Sequence, residues 1–239
     1  MARILLIDDE RPTLDMLSLF LSGYGHEAMT AENGETGLEV YTRERPDIVI
    51  TDIKMPGMDG LEVLKRIKTL DPATEVIVVT GHGDMDIAIQ ALNLNATDFI
   101  NKPVKKDALE SALRRAEERI ARAREGADDV LVRLDASMAV LDVRGNITSR
   151  SETGLVDAFN KVAALGAAGI LMRFEENATI NGAGIVVLTQ LLQGACKKDK
   201  RVAVTGLSDN FRKVFDVVGI SRVAKICDSE VEAQAHLSA

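Results

Sequence analysis

The sequence predicts two α/β domains in succession, the first on a five-stranded parallel sheet and the second smaller. Three observations carry that reading. Five short aliphatic runs alternate with amphipathic helical patterns as far as residue 103, as in a parallel sheet covered on both faces. All five prolines lie at or before Pro103, a compositional shift that marks a boundary. Beyond a long charged helix, a second alternation of strands and helices begins.

In chain order, the first five strands are RILLI, HEAMTA, DIVITD, EVIVVT and ATDFI. Helices near 10–22, 34–44, 59–70 and 84–94 separate them, each closed by Gly, Pro or Asn signals. From Val104 to Glu125 the chain reads as one helix, with Leu109, Leu113, Ala116, Ile120 and Ala123 on a seam. That seam either packs on the sheet before the helix becomes a linker, or pairs with a partner helix as a dimerising or signal-carrying element. Gly126 is a reasonable stop. The predicted boundaries are 1–122 for the first domain, a linker to about 127, and 128–239 for the second. In the second, strands near 129–134 and 138–144, a helix near 152–165, a strand at 169–174 and a helix near 182–198 come first. The strand RVAVTG, a helix near 208–218 and a short C-terminal helix follow.

Composition narrows the function. The 239 residues carry a net charge of −8, which disfavours a grip on nucleic-acid phosphates, because that binding needs concentrated Lys and Arg. Local basic patches exist, and one of them, Lys197 to Arg201, suits a helix C-terminus. Apolar residues make up 46% of the chain and aromatics 3%, so the cores are aliphatic. Cys196 and Cys227 lack metal-ligand spacing and read as reduced thiols. The N-terminus has four apolar residues and then acids, unlike a signal peptide, and the uncharged run Asn177 to Cys196 is too polar for a bilayer. The expected location is the cytoplasm.

Chemistry concentrates at the strand ends of the first half. Asp8 and Asp9 follow the first strand, Asp52 ends the third, Thr80 ends the fourth and Lys102 follows the fifth. In a parallel sheet these ends share one edge, where α/β proteins bind ligands. Three neighbouring carboxylates repel one another, and Mg²⁺, which takes oxygen ligands and is often held by carboxylates plus phosphate oxygens, relieves that. Asp52 then suits a nucleophile toward a phosphoryl group, with Thr80 and Lys102 placed to receive the incoming oxygens.

These residues, set in LLIDDE (5–10), VITDIKMPGMDG (49–60), VVTGHGD (78–84) and ATDFINKPV (96–104), make residues 1–120 resemble the receiver domain of two-component response regulators. The resemblance implies a flavodoxin-like (βα)5 fold. It also implies Mg²⁺ bound by Asp8, Asp9, Asp52 and the Lys54 carbonyl, and Asp52 as phosphoacceptor with Thr80 and Lys102 assisting. It implies a cis peptide before Pro103, and Phe99 at the aromatic switch position. Gly81 keeps access open; Lys54 and His82 flank the site, His82 as a solvated loop residue or as a metal ligand or base. The expected partner is a sensor histidine kinase or phosphotransfer protein. The protein is not an enzyme apart from its own phosphorylation and slow hydrolysis of the product.

The second half lacks a carboxylate pair at a strand end, a dinucleotide glycine pattern and a basic recognition helix. The blocks VLDVRGNIT, GILMRFEENATINGAGIVVLTQLL, KRVAVTGLSDNFRKVFDVVGI and SEVEAQAHL make it resemble the STAS domain of anti-sigma factor antagonists. In that family the strand-to-helix loop carries a regulatory serine. Here the loop, read as joining the strand GILMRF to the helix, is Asn181, Gly182, Ala183, Gly184 and Ile185, with Gly182 at the acceptor position and Arg173 in place of a frequent acid. Its small residues serve a docking surface at a helix N-terminus, or merely a tight turn. The sequence thus predicts a switch at Asp52 that controls binding of the STAS half to an anti-sigma or serine-kinase-like protein. The alternative is a scaffold whose STAS half and linker helix drive phosphorylation-dependent oligomerisation, for example a homodimer. A small-ligand role for the second half is a third possibility.

Overall fold

Strands β1 (Arg3–Ile7), β3 (Ile48–Asp52) and β4 (Glu75–Thr80) are buried over almost their whole length, as near-continuous aliphatic runs in the middle of a parallel sheet must be. With β2 (Glu27–Ala31) and β5 (Asp98–Asn101) they form an all-parallel sheet in the order β2-β1-β3-β4-β5. The computed structural model describes residues 2–81, 84–125, 130–135, 138–147, 152–164, 169–175 and 178–238. It divides into two compact units, Met1–Arg124 and Glu125–Ala239.

In the first unit, α1 (Arg11–Gly23) and α5 (Lys106–Glu125) cover one face of the sheet. Leu14, Leu17 and Leu21 from α1 meet Ile4, Leu6, Ile48, Ile50, Ile77 and Val79. Helices α2 (Gly34–Glu44), α3 (Gly60–Leu70) and α4 (Met85–Asn93) take the other face, where Gly37 lies so close to Ile7 that a Cβ would meet it at 2.4 Å. Side-chain caps start α2 and α3: Asn33 accepts from the Thr36 N–H and Asp59 from the Glu62 N–H, each at 2.8 Å.

The seam on α5 is committed to this core as far as Ile120, while Ala123 is exposed. Leu109, Ala112, Leu113 and Ala116 are buried against the sheet and Ile120 packs beside them, so these residues are not available to a partner helix. The helix begins at Lys106, two residues later than expected, and its arginines reach the opposite edge of the sheet from the acids. Arg115 pairs with buried Asp98, and Arg119 lies 3.1 Å from Glu75. Near that edge Lys68 donates to the Thr74 carbonyl at 2.6 Å, and burial pulls its ammonium down to about 8 despite the attraction of Glu75. Between about pH 8 and the ordinary value of 10.5, the unfolded chain holds a proton that the folded chain has released. This group therefore adds stability as pH rises across that window, and Lys68→Met is expected to flatten that part of the profile in paired urea titrations.

In the second unit, β6 (Val130–Asp135), β7 (Met138–Val143), β9 (Gly169–Phe174), β11 (Arg201–Thr205) and β12 (Lys225–Ile226) form a sheet in the order β12-β11-β9-β7-β6. Only the β6–β7 pair is antiparallel. Helix α9 (Glu230–Ser238) covers part of one face, placing Ala233 and Leu237 on Val140, Leu171, Ala203 and Cys227. Helix α6 (Glu152–Ala164) packs against β6 and α7 (Gly182–Cys196) against β11. From α8 (Asp209–Val217), Phe215 meets Phe174 edge-to-face at 6.0 Å.

Three short strands went unforeseen, β12 at the edge of this sheet and two outside it. The strand GILMRF does not run straight into the helix: Thr179–Ile180 (β10) pairs with Asn146–Ile147 (β8) in a separate parallel ribbon. Arg173, in place of an acid, has a structural partner on each side. It reaches Asp142 Oδ1 at 2.7 Å and Glu230 Oε1 at 2.9 Å, tying β7 to the first turn of α9.

Candidate functional site

The strand order reverses direction between β1 and β3, and the crevice beyond their carboxyl ends is where open parallel sheets take ligands. Asp8 is buried just past β1, Asp52 is buried at the end of β3, and Asp9 beside them is exposed. One carboxylate oxygen from each lies within 4.8 Å of the others. Lys102, just beyond β5, reaches in with its Nζ 2.9 Å from Asp52 Oδ2 and 3.3 Å from Asp8 Oδ2.

The electrostatics follow from burial. Desolvation pushes the Asp8 carboxyl above its ordinary value and the Asp52 charge adds to that. The Glu10 N–H and Lys102 oppose them without cancelling them. Burial likewise acts to lower Lys102, but its hydrogen bond to Asp52 and the two carboxylate charges outweigh that, and its pKa is raised. Lys102 is thus firmly charged, while the acid cluster remains short of positive charge. Three oxygen donors with one ammonium suit a hard divalent cation such as Mg²⁺.

Thr80 is buried at the end of β4, and its Oγ1 has no hydrogen-bond partner among the described residues, an uncommon state for a buried hydroxyl. Gly60, behind Asp52, is obligatory: a Cβ there would lie 2.1 Å from the Asp52 carbonyl oxygen. The Lys102–Pro103 bond is cis, and Phe99 is fully buried within β5. Lys54 turns its side chain to Asp84, with Nζ 2.7 Å from Oδ2, a pairing that inspection of the sequence missed. His82 lies outside the described residues.

In the second unit, Asn181 caps α7 by accepting from the Gly184 N–H at 2.8 Å, and both residues are buried. A Cβ at Gly184 would lie 2.3 Å from the Ile147 carbonyl, so this glycine permits close packing of α7 on β8. Gly182 is buried as well; of the four residues expected to dock a partner, Ala183 is the exposed one.

Residues 4–114 match the response regulator receiver domain. Sporulation initiation phosphotransferase F of Bacillus subtilis (strain 168) is 35% identical over 113 residues, covering 47% of this chain and 91% of that protein. The transcriptional regulatory protein GlrR of Escherichia coli (strain K12) is 40% identical over 112 residues, 47% of this chain but only 25% of its own length. Among solved structures, a response regulator receiver domain protein from Clostridium thermocellum is 38% identical, covers 53% of this chain and 100% of its own, and has a TM-score of 0.49. Receiver domains signal by phosphorylation in two-component systems, interact with a histidine kinase or phosphotransfer protein, and bind Mg²⁺ in an acidic pocket. By the match over residues 4–114 and the identity to phosphotransferase F, on a five-stranded parallel sheet whose edge gathers such a pocket, the chain belongs to the response regulator receiver family.

Proposed function

We propose that phosphorylation of Asp52 by a histidine kinase controls protein–protein binding by residues 128–239, acting as a STAS output domain on an anti-sigma or serine-kinase-like partner. The observation that carries this reading is a receiver acid cluster joined to a second α/β unit whose strand-to-helix loop has no hydroxyl to phosphorylate. Control then resides at Asp52.

In the chemical step, an Asp52 carboxylate oxygen attacks the phosphorus of a phosphohistidine. The P–N bond breaks, and the imidazole leaves with the bonding pair and takes up a proton. Lys102 is already charged and within reach of the acceptor oxygen, and the unpartnered Thr80 hydroxyl can donate to a phosphoryl oxygen. Asp8, Asp9, Asp52 and the Lys54 carbonyl would hold Mg²⁺, which supplies charge neutralisation at the transferring group. No protein base is needed, because the nucleophile is already an anion.

For the second unit, Ala183 and Val186 present exposed small apolar surface at the start of α7, a place where a partner's backbone can approach. The test is capture of a purified anti-sigma or serine-kinase-like protein by the unmodified chain, by the chain with beryllofluoride and Mg²⁺, and by Asp52→Asn. The expected result is at least tenfold different capture in the beryllofluoride arm, with Asp52→Asn matching the unmodified chain. Equal capture in all three sinks the coupling. Ala183→Asp is expected to weaken capture without loss of helicity by circular dichroism. It is a cleaner probe than Gly182→Asp, because Gly182 is buried. Light scattering of the same samples separates the assembly reading, which expects a change in mass without any partner. Burial of Leu109, Leu113 and Ala116 takes that part of the helical seam away from the assembly reading, which then rests on the second unit.

A further inference from the structure

We propose that the Lys54–Asp84 ion pair is a strap across the mouth of the acid site, and that phosphorylation releases it by drawing Lys54 away and leaving Asp84 to cap α4. This rests on Asp52 as the phosphoacceptor. Lys54 follows β3 and Asp84 precedes α4, so the contact joins two separate strand-to-helix connections at the same sheet edge. It passes over Gly81: a Cβ there would lie 2.9 Å from Asp84 Oδ2 and 3.9 Å from Lys54 Nζ. The next residue back is Thr80, whose buried hydroxyl is unpartnered. The contact is a close approach of charges, since Asp84 Oδ2 has no aligned hydrogen bond.

Asp84 shows what the strap displaces. Asn33, Asp59, Asn181 and Ser208 stand at helix N-caps with extended backbone, and each accepts an N–H from the first turn. Asp84 stands at the N-cap of α4 with φ −80° and ψ 45° and makes no side-chain cap bond. The Ile87 N–H, which a capping side chain would take, donates instead to the Asp84 main-chain carbonyl at 3.1 Å. Asp84 therefore chooses between two partners of comparable strength, an exposed ammonium and the N-terminus of its own helix. Phosphorylation replaces the single negative charge of the Asp52 carboxylate with close to two on the phosphoryl group, near the root of the Lys54 side chain, and so biases that choice. Lys102 is already engaged by Asp8 and Asp52, which leaves Lys54 as the additional cation on that loop.

A double-mutant cycle tests this, read as the rate of phosphorylation by acetyl phosphate and the dissociation constant for beryllofluoride, both with Mg²⁺. Asp84→Asn keeps a good capping residue and removes the charge that holds Lys54. It is expected to raise the rate and tighten beryllofluoride about three- to tenfold in the wild-type background, and to change neither in Lys54→Met. An equal effect of Asp84→Asn in both backgrounds, or no effect in either, overturns the strap. Mass spectrometry of Asp52→Asn keeps the two ideas apart. A phosphoryl group still carried by that variant overturns the acceptor assignment, whereas loss of the label with an additive cycle overturns the strap alone.

Discussion

Asp52→Asn is expected to abolish formation of an acyl phosphate from acetyl phosphate and to weaken Mg²⁺ binding at least tenfold, or by about 1.4 kcal/mol. The first effect follows because a neutral amide is not a nucleophile toward phosphorus, and the neighbouring acids cannot replace it. Asp8 is buried and already engaged by Lys102 at 3.3 Å and by the Glu10 N–H at 2.8 Å, and Asp9 is exposed beside the cluster. The second effect follows because the substitution removes one of three clustered oxygen anions. It is read as the rise in unfolding midpoint on adding Mg²⁺, which should be clear in the wild type and shrink sharply in the variant. Hydroxylamine-sensitive label of undiminished yield in Asp52→Asn would show that the acceptor lies elsewhere.

Arg115→Ala is expected to be the most destabilising single truncation on α5, at roughly 3–5 kcal/mol. Asp98 is fully buried at the start of β5. One of its oxygens accepts the Phe99 N–H at 2.8 Å, and the other is engaged by Nε of Arg115 at 2.8 Å and by its Nη2. Truncating the arginine leaves that carboxylate without its counter-ion beneath the helix, where water cannot replace it. The control is Arg66→Ala, which removes an exposed pair with Glu62 one helical turn away and should cost less than about 0.5 kcal/mol. Urea titration, followed on the transition of the N-terminal unit, distinguishes them. A cost below about 1 kcal/mol for Arg115→Ala would mean that Asp98 is neutral in the folded protein or finds another donor.

These residues show where reading the chain stops working. The acid cluster was legible because residues at the ends of parallel strands share an edge whatever their side chains do, so the strand runs alone place Asp8, Asp52, Thr80 and Lys102 together. The pairs Arg115–Asp98, Lys54–Asp84 and Arg173–Glu230 were not legible. Each joins elements whose relative rotation is set by packing, and sequence periodicity carries no record of that rotation. The ribbon of β8 and β10 escaped for another reason: two residues are too few to show an alternation. The α5 seam was legible as an apolar stripe, but a stripe does not say what covers it.

By itself, then, the sequence determined the alternating α/β order, the parallel five-stranded sheet and the chemistry gathered at its edge. Those features depend on local patterns and on one topological rule. Tertiary structure alone decided that the helical seam faces its own core, that three of the four residues of the Asn181–Gly184 loop are buried, and that Asp84 prefers Lys54 to its own helix. Each of those outcomes is a competition between partners distant in sequence, and only the packed chain fixes which of them come within reach.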